Sequence, residues 1–148
     1  MSTAKRGKDL KGSKDGKFTK IILRTINTNA WRDLPTKSQS LYMWLKLEWK
    51  GPKYNNNGTI ALSCRQAANK MGVSINTAAT AFRELQAKGF IVVTRTSFLG
   101  VEGEARLQYY EITELPLPTE AQGRHLYARW APGHDYPIIS PVKPKPRR

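Results

Sequence analysis

The stretch from Ser63 to Gly89 constrains this chain most, because it reads as two helices joined by a turn so tight that they must cross each other. Ser63 is a good N-cap, and the helix it opens, Cys64 to Met71, carries Cys64, Ala67, Ala68 and Met71 on one inner face. Gly72-Val73-Ser74 is a turn. Gly72 supplies the left-handed backbone that the reversal needs, and Ser74 caps a further helix. That helix runs from Ile75 to Lys88 with Ile75, Ala78, Ala79, Phe82 and Leu85 as its apolar face, and Gly89 ends it. Small Ala67 and Ala68 let the two helices approach closely. The second helix is then expected to stand proud of the surface.

The flanking segments complete one small domain. Upstream, Phe18 to Leu34 reads as a short extended lead-in and a short helix ending near Asp33. Pro35 suits the first turn of a longer helix that runs to about Trp49, where Leu41, Tyr42, Trp44, Leu45, Glu48 and Trp49 recur at spacings of three and four. Gly51 and Pro52 stop it, Tyr54 to Gly58 is a loop, and Thr59 to Leu62 is a short strand. Downstream the period changes from helical to alternating. Phe90 to Thr94 and Leu107 to Ile112 read as two strands of an antiparallel hairpin, with a Gly-containing loop between Leu99 and Glu104. Residues 119–130 are expected to hold a short helix whose Tyr127 and Trp130 dock on the core. Trp31, Trp44 and Trp49 read as core residues in preference to base-stacking platforms, and Cys64 as a small apolar core residue in preference to a redox switch.

Short helix, tight turn, second helix and hairpin make the helix-turn-helix order, in which the second helix enters a major groove about 12 Å wide. The segment Leu62 to Ala78, continued by Ala81 to Ile91, resembles the DNA-binding part of GntR-type winged-helix regulators. The shared pattern is the Ser at the helix start, the Gly-Val-Ser turn, Thr77 three residues beyond Ser74, and Leu85-x-x-x-Gly89-Phe90-Ile91 leading into the wing. The chain also resembles the winged helices of plasmid and phage replication initiators. The likeness covers about residues 59–112. It implies an α+β fold, mainly α: a winged helix-turn-helix of three to four helices plus a β-hairpin wing, to which composition adds disordered basic tails. The expected organisation is a flexible basic arm over 1–17, the winged domain over 18–115, a docked Pro-rich extension over 116–136, and a basic Pro-rich tail over 137–148. The family's usual basic residues after the turn's Ser, and one turn further along the exposed face, are replaced here by Ile75 and Ala79.

The candidate DNA-reading residues are Ser74, Asn76, Thr77, Thr80 and Arg83 on the second helix. Asn pairs with an adenine edge in bidentate fashion, and Thr methyls touch thymine methyls. Ser63, Arg65 and Gln66, at the start of the first short helix, are candidate phosphate contacts, with capping or plain solvation as the alternative. Arg95 and Arg106 flank the hairpin and are candidate wing contacts, or cross-strand partners of Glu111. Glu102 and Glu104 at its tip would repel phosphate.

The formal charge of +14 points to a polyanion, and duplex DNA is the first choice. Most of the excess lies at the ends, in the arm (Lys5, Arg6, Lys8, Lys11, Lys14 and Lys17) and in the tail (Lys143, Lys145, Arg147 and Arg148). No apolar run approaches the ~20 residues of a membrane span. The single Cys suits a reducing cytosol, and a cytoplasmic, nucleoid-associated site is expected. His125 and His134 lack metal-ligand company, so no metal and no cofactor are expected. No catalytic constellation stands out, so the chain does not read as an enzyme. Three functions stay open: a transcription regulator, an initiator-type or plasmid-maintenance protein, and a protein-interaction module with non-specific nucleic-acid-binding tails. A homodimer and a protein partner stay open as well.

Overall fold

The computed structural model describes residues 16–99 and 105–141. They form a mainly helical α+β fold. The order is α1 (Leu23–Ile26), α2 (Asn29–Asp33), α3 (Thr36–Glu48), β1 (Ile60–Ala61), α4 (Cys64–Met71), α5 (Ile75–Ala87), β2 (Ile91–Leu99), β3 (Ala105–Ile112) and a 3-10 turn (Leu126–Arg129). The three strands make one antiparallel sheet in the order β1-β3-β2. None of the described helices is long and apolar enough to cross a membrane.

Local chemistry sets the helix limits. Ser63 and Gln66 form a capping box at α4, each side chain bonding the other's backbone N–H at 3.0 Å. Ser74 Oγ accepts from the Thr77 N–H at 3.1 Å and starts α5. Between them Gly72 sits at φ +71°, and the Val73 N–H closes the turn on the Ala68 carbonyl. Pro35 is the residue before α3 and not part of its first turn. It cannot donate, and its carbonyl accepts from the amides of Ser38 and Gln39.

The core lies where α3, α4 and α5 meet the inner face of the sheet. Ala67, Ala78 and Ala81 are buried at the crossings, so the backbones come close. Phe82 stacks on Tyr110 from the sheet, with ring centroids 5.3 Å apart. Trp31, Tyr42, Phe90 and Tyr127 form a second aromatic cluster by edge and stacked contacts. One expectation fails here. Ile75, assigned to the apolar face of α5, is 39% exposed in the first turn of the helix.

The segment after β3 wraps the C-terminal end of α5. It contains no α-helix over 119–130, only the 3-10 turn, yet Tyr127 and Trp130 are buried. Lys88 lies over the Trp130 ring at 4.9 Å. The Tyr136 N–H bonds the Ala87 carbonyl, and its hydroxyl bonds the Leu126 carbonyl. Residues 137–141, which the sequence places in the basic tail, lie along α5. The Gln86 amide holds Ile139 at both N–H (2.8 Å) and carbonyl (2.9 Å), and Gln108 bonds the Ser140 carbonyl at 3.0 Å. This packing separates two glycines that look alike in sequence. At Gly72 (φ +71°) an added Cβ meets nothing within 4 Å, so Gly72→Ala is expected to cost about 1–2 kcal/mol of backbone strain. At Gly89 (φ +85°) a Cβ would stand 2.6 Å from the Tyr136 ring, so Gly89→Ala adds overpacking and is expected to cost about 2–4 kcal/mol. Urea denaturation of the two variants checks the order.

A buried polar hub ties the N-terminal elements to the sheet. Glu114 accepts from Tyr42 Oη at 2.7 Å and from Thr25 Oγ1, and pairs with Lys46 Nζ at 2.8 Å. Lys46 also donates to the Lys20 carbonyl at 2.6 Å. Burial, with the Glu114 carboxylate second, pushes the Tyr42 phenol well up, and burial does the same to Tyr110. Both stay protonated in the folded state, while their unfolded counterparts lose the proton near pH 10. Their contribution is therefore complete below that pH and falls as pH rises above it, by about 1.4 kcal/mol per unit for each phenol. Urea midpoints measured on either side of pH 10 are expected to drop accordingly, and Tyr110→Phe is expected to reduce the drop.

Candidate nucleic-acid interface

Positions 76, 80 and 83 of α5 are spaced four and three apart and so share one helix face. Asn76 and Thr80 are exposed there, and Arg83 is half-buried. Among the described residues the Asn76 carboxamide makes no hydrogen bond, so its donor and acceptor are available to a partner. Thr77 is half-buried and its hydroxyl is bonded by Ser74 Oγ at 3.0 Å. Ser74 and Thr77 are thus engaged with each other, and both belong to the cap. Arg83 reaches along the helix, with Nη1 3.4 Å from Thr80 Oγ1 and Nη2 3.3 Å from Ser140 Oγ. The C-terminal strap therefore borders the far end of this face, and Gln86 and Ala87 are covered by it.

Two expectations for Ala79 conflict, and the structure decides between them. Helical spacing puts it on the apolar face and the resemblance puts it on the exposed face, in place of a basic residue; it is 1% exposed and belongs to the core. A basic side chain there would be buried. Of the two positions, only Ile75 presents an apolar side chain to solvent. Cys64 is buried, its thiol donates to the Ile75 carbonyl at 3.2 Å, and burial pushes its pKa up against the opposing pull of Arg83. It links the two helices through this contact.

At α4, Arg65 is exposed and forms no ion pair among the described residues. Gln66 is exposed too; its Oε1 is committed to the Ser63 N–H, and its carboxamide nitrogen has no bond among the described residues. No acidic residue sits in the first turn of α3, α4 or α5, so the positive end of each helix dipole is left uncompensated.

On the hairpin, Arg95 is exposed and lies over the Tyr109 ring at 5.4 Å. Glu111 is not its cross-strand partner. Glu111 faces Val92 across the ladder and is gripped by Arg124, with Nε–Oε2 at 2.9 Å and Nη2–Oε1 at 2.5 Å. A register shift between Val93 and Arg95 separates the two. The position of the Arg106 side chain, and all of Lys5, Arg6, Lys8, Lys11 and Lys14, lie outside what the structure describes, while Lys17 is described and exposed.

One neighbour of the α5 face does not stand out in the sequence. Lys37, in the first turn of α3, lines an open notch together with Asn76, Thr77 and Thr80. The only signal for it is a Pro-Thr-Lys-Ser helix start with no acidic residue in it. No protein-family model, no curated protein and no solved structure matches the chain.

Proposed function

We propose that the protein is a sequence-specific binder of double-stranded DNA and acts as a transcriptional regulator. In this reading α4, the turn and α5 are a helix-turn-helix, α5 is the recognition helix, and the β2–β3 hairpin is the wing. The observation that carries it is the face of α5: Asn76 uncommitted, Thr80 and Arg83 beside it, on a helix whose opposite side is fixed to the core. Helix-turn-helix domains read base edges with the N-terminal part of the second helix. The strap that covers Gln86 and Ala87 borders only the other end, so it leaves that part open. Arg65 and the Gln66 amide at α4 then take backbone phosphates, and Arg95 takes one from the hairpin. The charge of +14 supplies attraction without sequence preference.

A protein-interaction role is the second reading. It is favoured by the exposed apolar side chains Phe18, Ile21 and Leu23 ahead of and within α1, at 49%, 63% and 72%. Selection of bound duplexes from a random pool at near-physiological salt separates the two. A recovered motif supports DNA reading, and a repeated half-site would give the number of copies bound. An unenriched pool sinks it and leaves the interaction module. Removal of residues 1–17 is expected to lower affinity for all duplexes alike and to flatten the salt dependence by about 0.9 for each phosphate no longer neutralised. An unchanged slope would show that the arm does not touch DNA.

A further inference from the structure

The start of α3 is built differently from those of α4 and α5. Those two are closed by Ser63 and Ser74, whereas no side chain caps α3. Its first bonded amides are those of Ser38 and Gln39, both on the Pro35 carbonyl, so the amides of Thr36 and Lys37 have no intrahelical acceptor. The helix is 13 residues long with no acid in its first turn. A second, independent feature lies at the same place. Ser38 is 1% exposed, and its hydroxyl is the one buried side-chain polar atom without a hydrogen-bond partner among the described residues. Comparable buried groups, such as those of Asn57, Gln108 and Thr113, are all bonded. An orphaned hydroxyl inside a well-satisfied core calls for a missing partner.

Ser38 lines a notch of about 290 Å3 between this helix start and the exposed face of α5. Pro35 and Lys37 form one wall, and Asn76 and Thr80 the other. We propose that the notch seats a backbone phosphate of the DNA strand that lies against α5. The proposal rests on the DNA-binding reading and names one anchor of it. Lys37 supplies the cation, the free amides of Thr36 and Lys37 supply directed donors, and the Ser38 hydroxyl gains the acceptor it lacks. The hydroxyl is sealed in the free protein and reaches the phosphate by turning from one staggered rotamer to another. The Pro35 ring offers an apolar surface to the adjoining deoxyribose. Because Asn76 and Thr80 belong both to this notch and to the base-reading face, a phosphate held here would fix the depth and register of α5 in the groove.

The test uses the full chain, a short mixed-sequence duplex and inorganic phosphate. Affinity is measured over a range of KCl concentrations for wild type, Lys37→Ala, Ser38→Ala and, as a charge control on the far end of α3, Lys50→Ala. Lys37→Ala is expected to weaken binding about tenfold and to lower the salt slope by about 1. Ser38→Ala is expected to weaken binding about threefold while its melting temperature holds or rises, because the deleted hydroxyl had no partner in the free protein. Lys50→Ala should do neither. In wild-type NMR spectra the Thr36 and Lys37 amides are expected to shift on adding duplex. If wild type binds duplex but Ser38→Ala binds as tightly, the notch is not a phosphate seat, although DNA binding stands. Amides that respond to inorganic phosphate and not to duplex would assign the notch to a free anion and overturn the backbone role. Absence of any duplex binding by wild type would remove both readings at once.

Discussion

Glu114→Ala is expected to destabilise the fold by about 3–5 kcal/mol, a large part of the roughly 5–15 kcal/mol typical of a small domain. The carboxylate and Lys46 are each 5% exposed, and Tyr42 and Thr25 also donate to it. Removing it strands an ammonium and the Tyr42 hydroxyl in the interior: Thr25 keeps Tyr127 Oη at 3.3 Å, and among the described residues Lys46 keeps only the Lys20 carbonyl as an acceptor. Breaking one side of a buried pair costs more than replacing both, since the surviving charge keeps its desolvation penalty. Glu114→Leu combined with Lys46→Met should therefore recover much of the stability. Urea denaturation of the single and double variants decides the matter. A single-variant cost near 1 kcal/mol, the scale of an exposed pair, would show that water reaches the hub.

Asn76→Ala with Thr80→Ala is expected to erase sequence preference while leaving residual affinity for any duplex. A bidentate Asn–adenine contact discriminates by about 1–3 kcal/mol, roughly ten- to a hundredfold between right and wrong base. Phosphate contacts carry no such information and survive the change. The measurement is the affinity ratio between the selected motif and a scrambled duplex, for wild type and variant at one salt concentration. Both residues are exposed and form no part of the core, so the melting temperature is expected to stay put. A ratio that survives intact would mean that α5 does not read the sequence.

Much of the helical frame is legible in the sequence because it is locally encoded. Ser63 and Ser74 cap the amides that follow them, and Gly72 accepts a left-handed backbone at little cost. The limits of α4, read from those signals, match the structure, and α5 ends one residue short of the expected Lys88. The stripe Asn76–Thr80–Arg83 follows from helical spacing alone. Features that depend on distant segments are not legible. Spacing puts both Ile75 and Ala79 on the apolar face of α5, and only the docking of the neighbouring elements buries the second and leaves the first exposed. Glu111 looks like a partner for an arginine of the hairpin, but Arg124, beyond the end of β3, claims it. Glu114 gives no sign in sequence of joining the N-terminal segment, α3 and the sheet exit. Pro137 to Pro141 reads as the start of a tail because a Pro-rich, polar run lacks periodicity, yet Gln86 and Gln108 supply the hydrogen bonds that hold it.

By itself, then, the sequence determined the limits of α4, the start of α5, where the period changes to strand, and the sign of the charge. These rest on capping, backbone freedom and composition, which act over a few residues or over the whole chain. The tertiary structure decided which face of α5 stays open, where Gln86 and Ala87 are covered, how Glu114 is satisfied, and that the start of α3 stands beside Asn76 and Thr80. Those outcomes depend on contacts between residues far apart in the chain, whose partners no local pattern names.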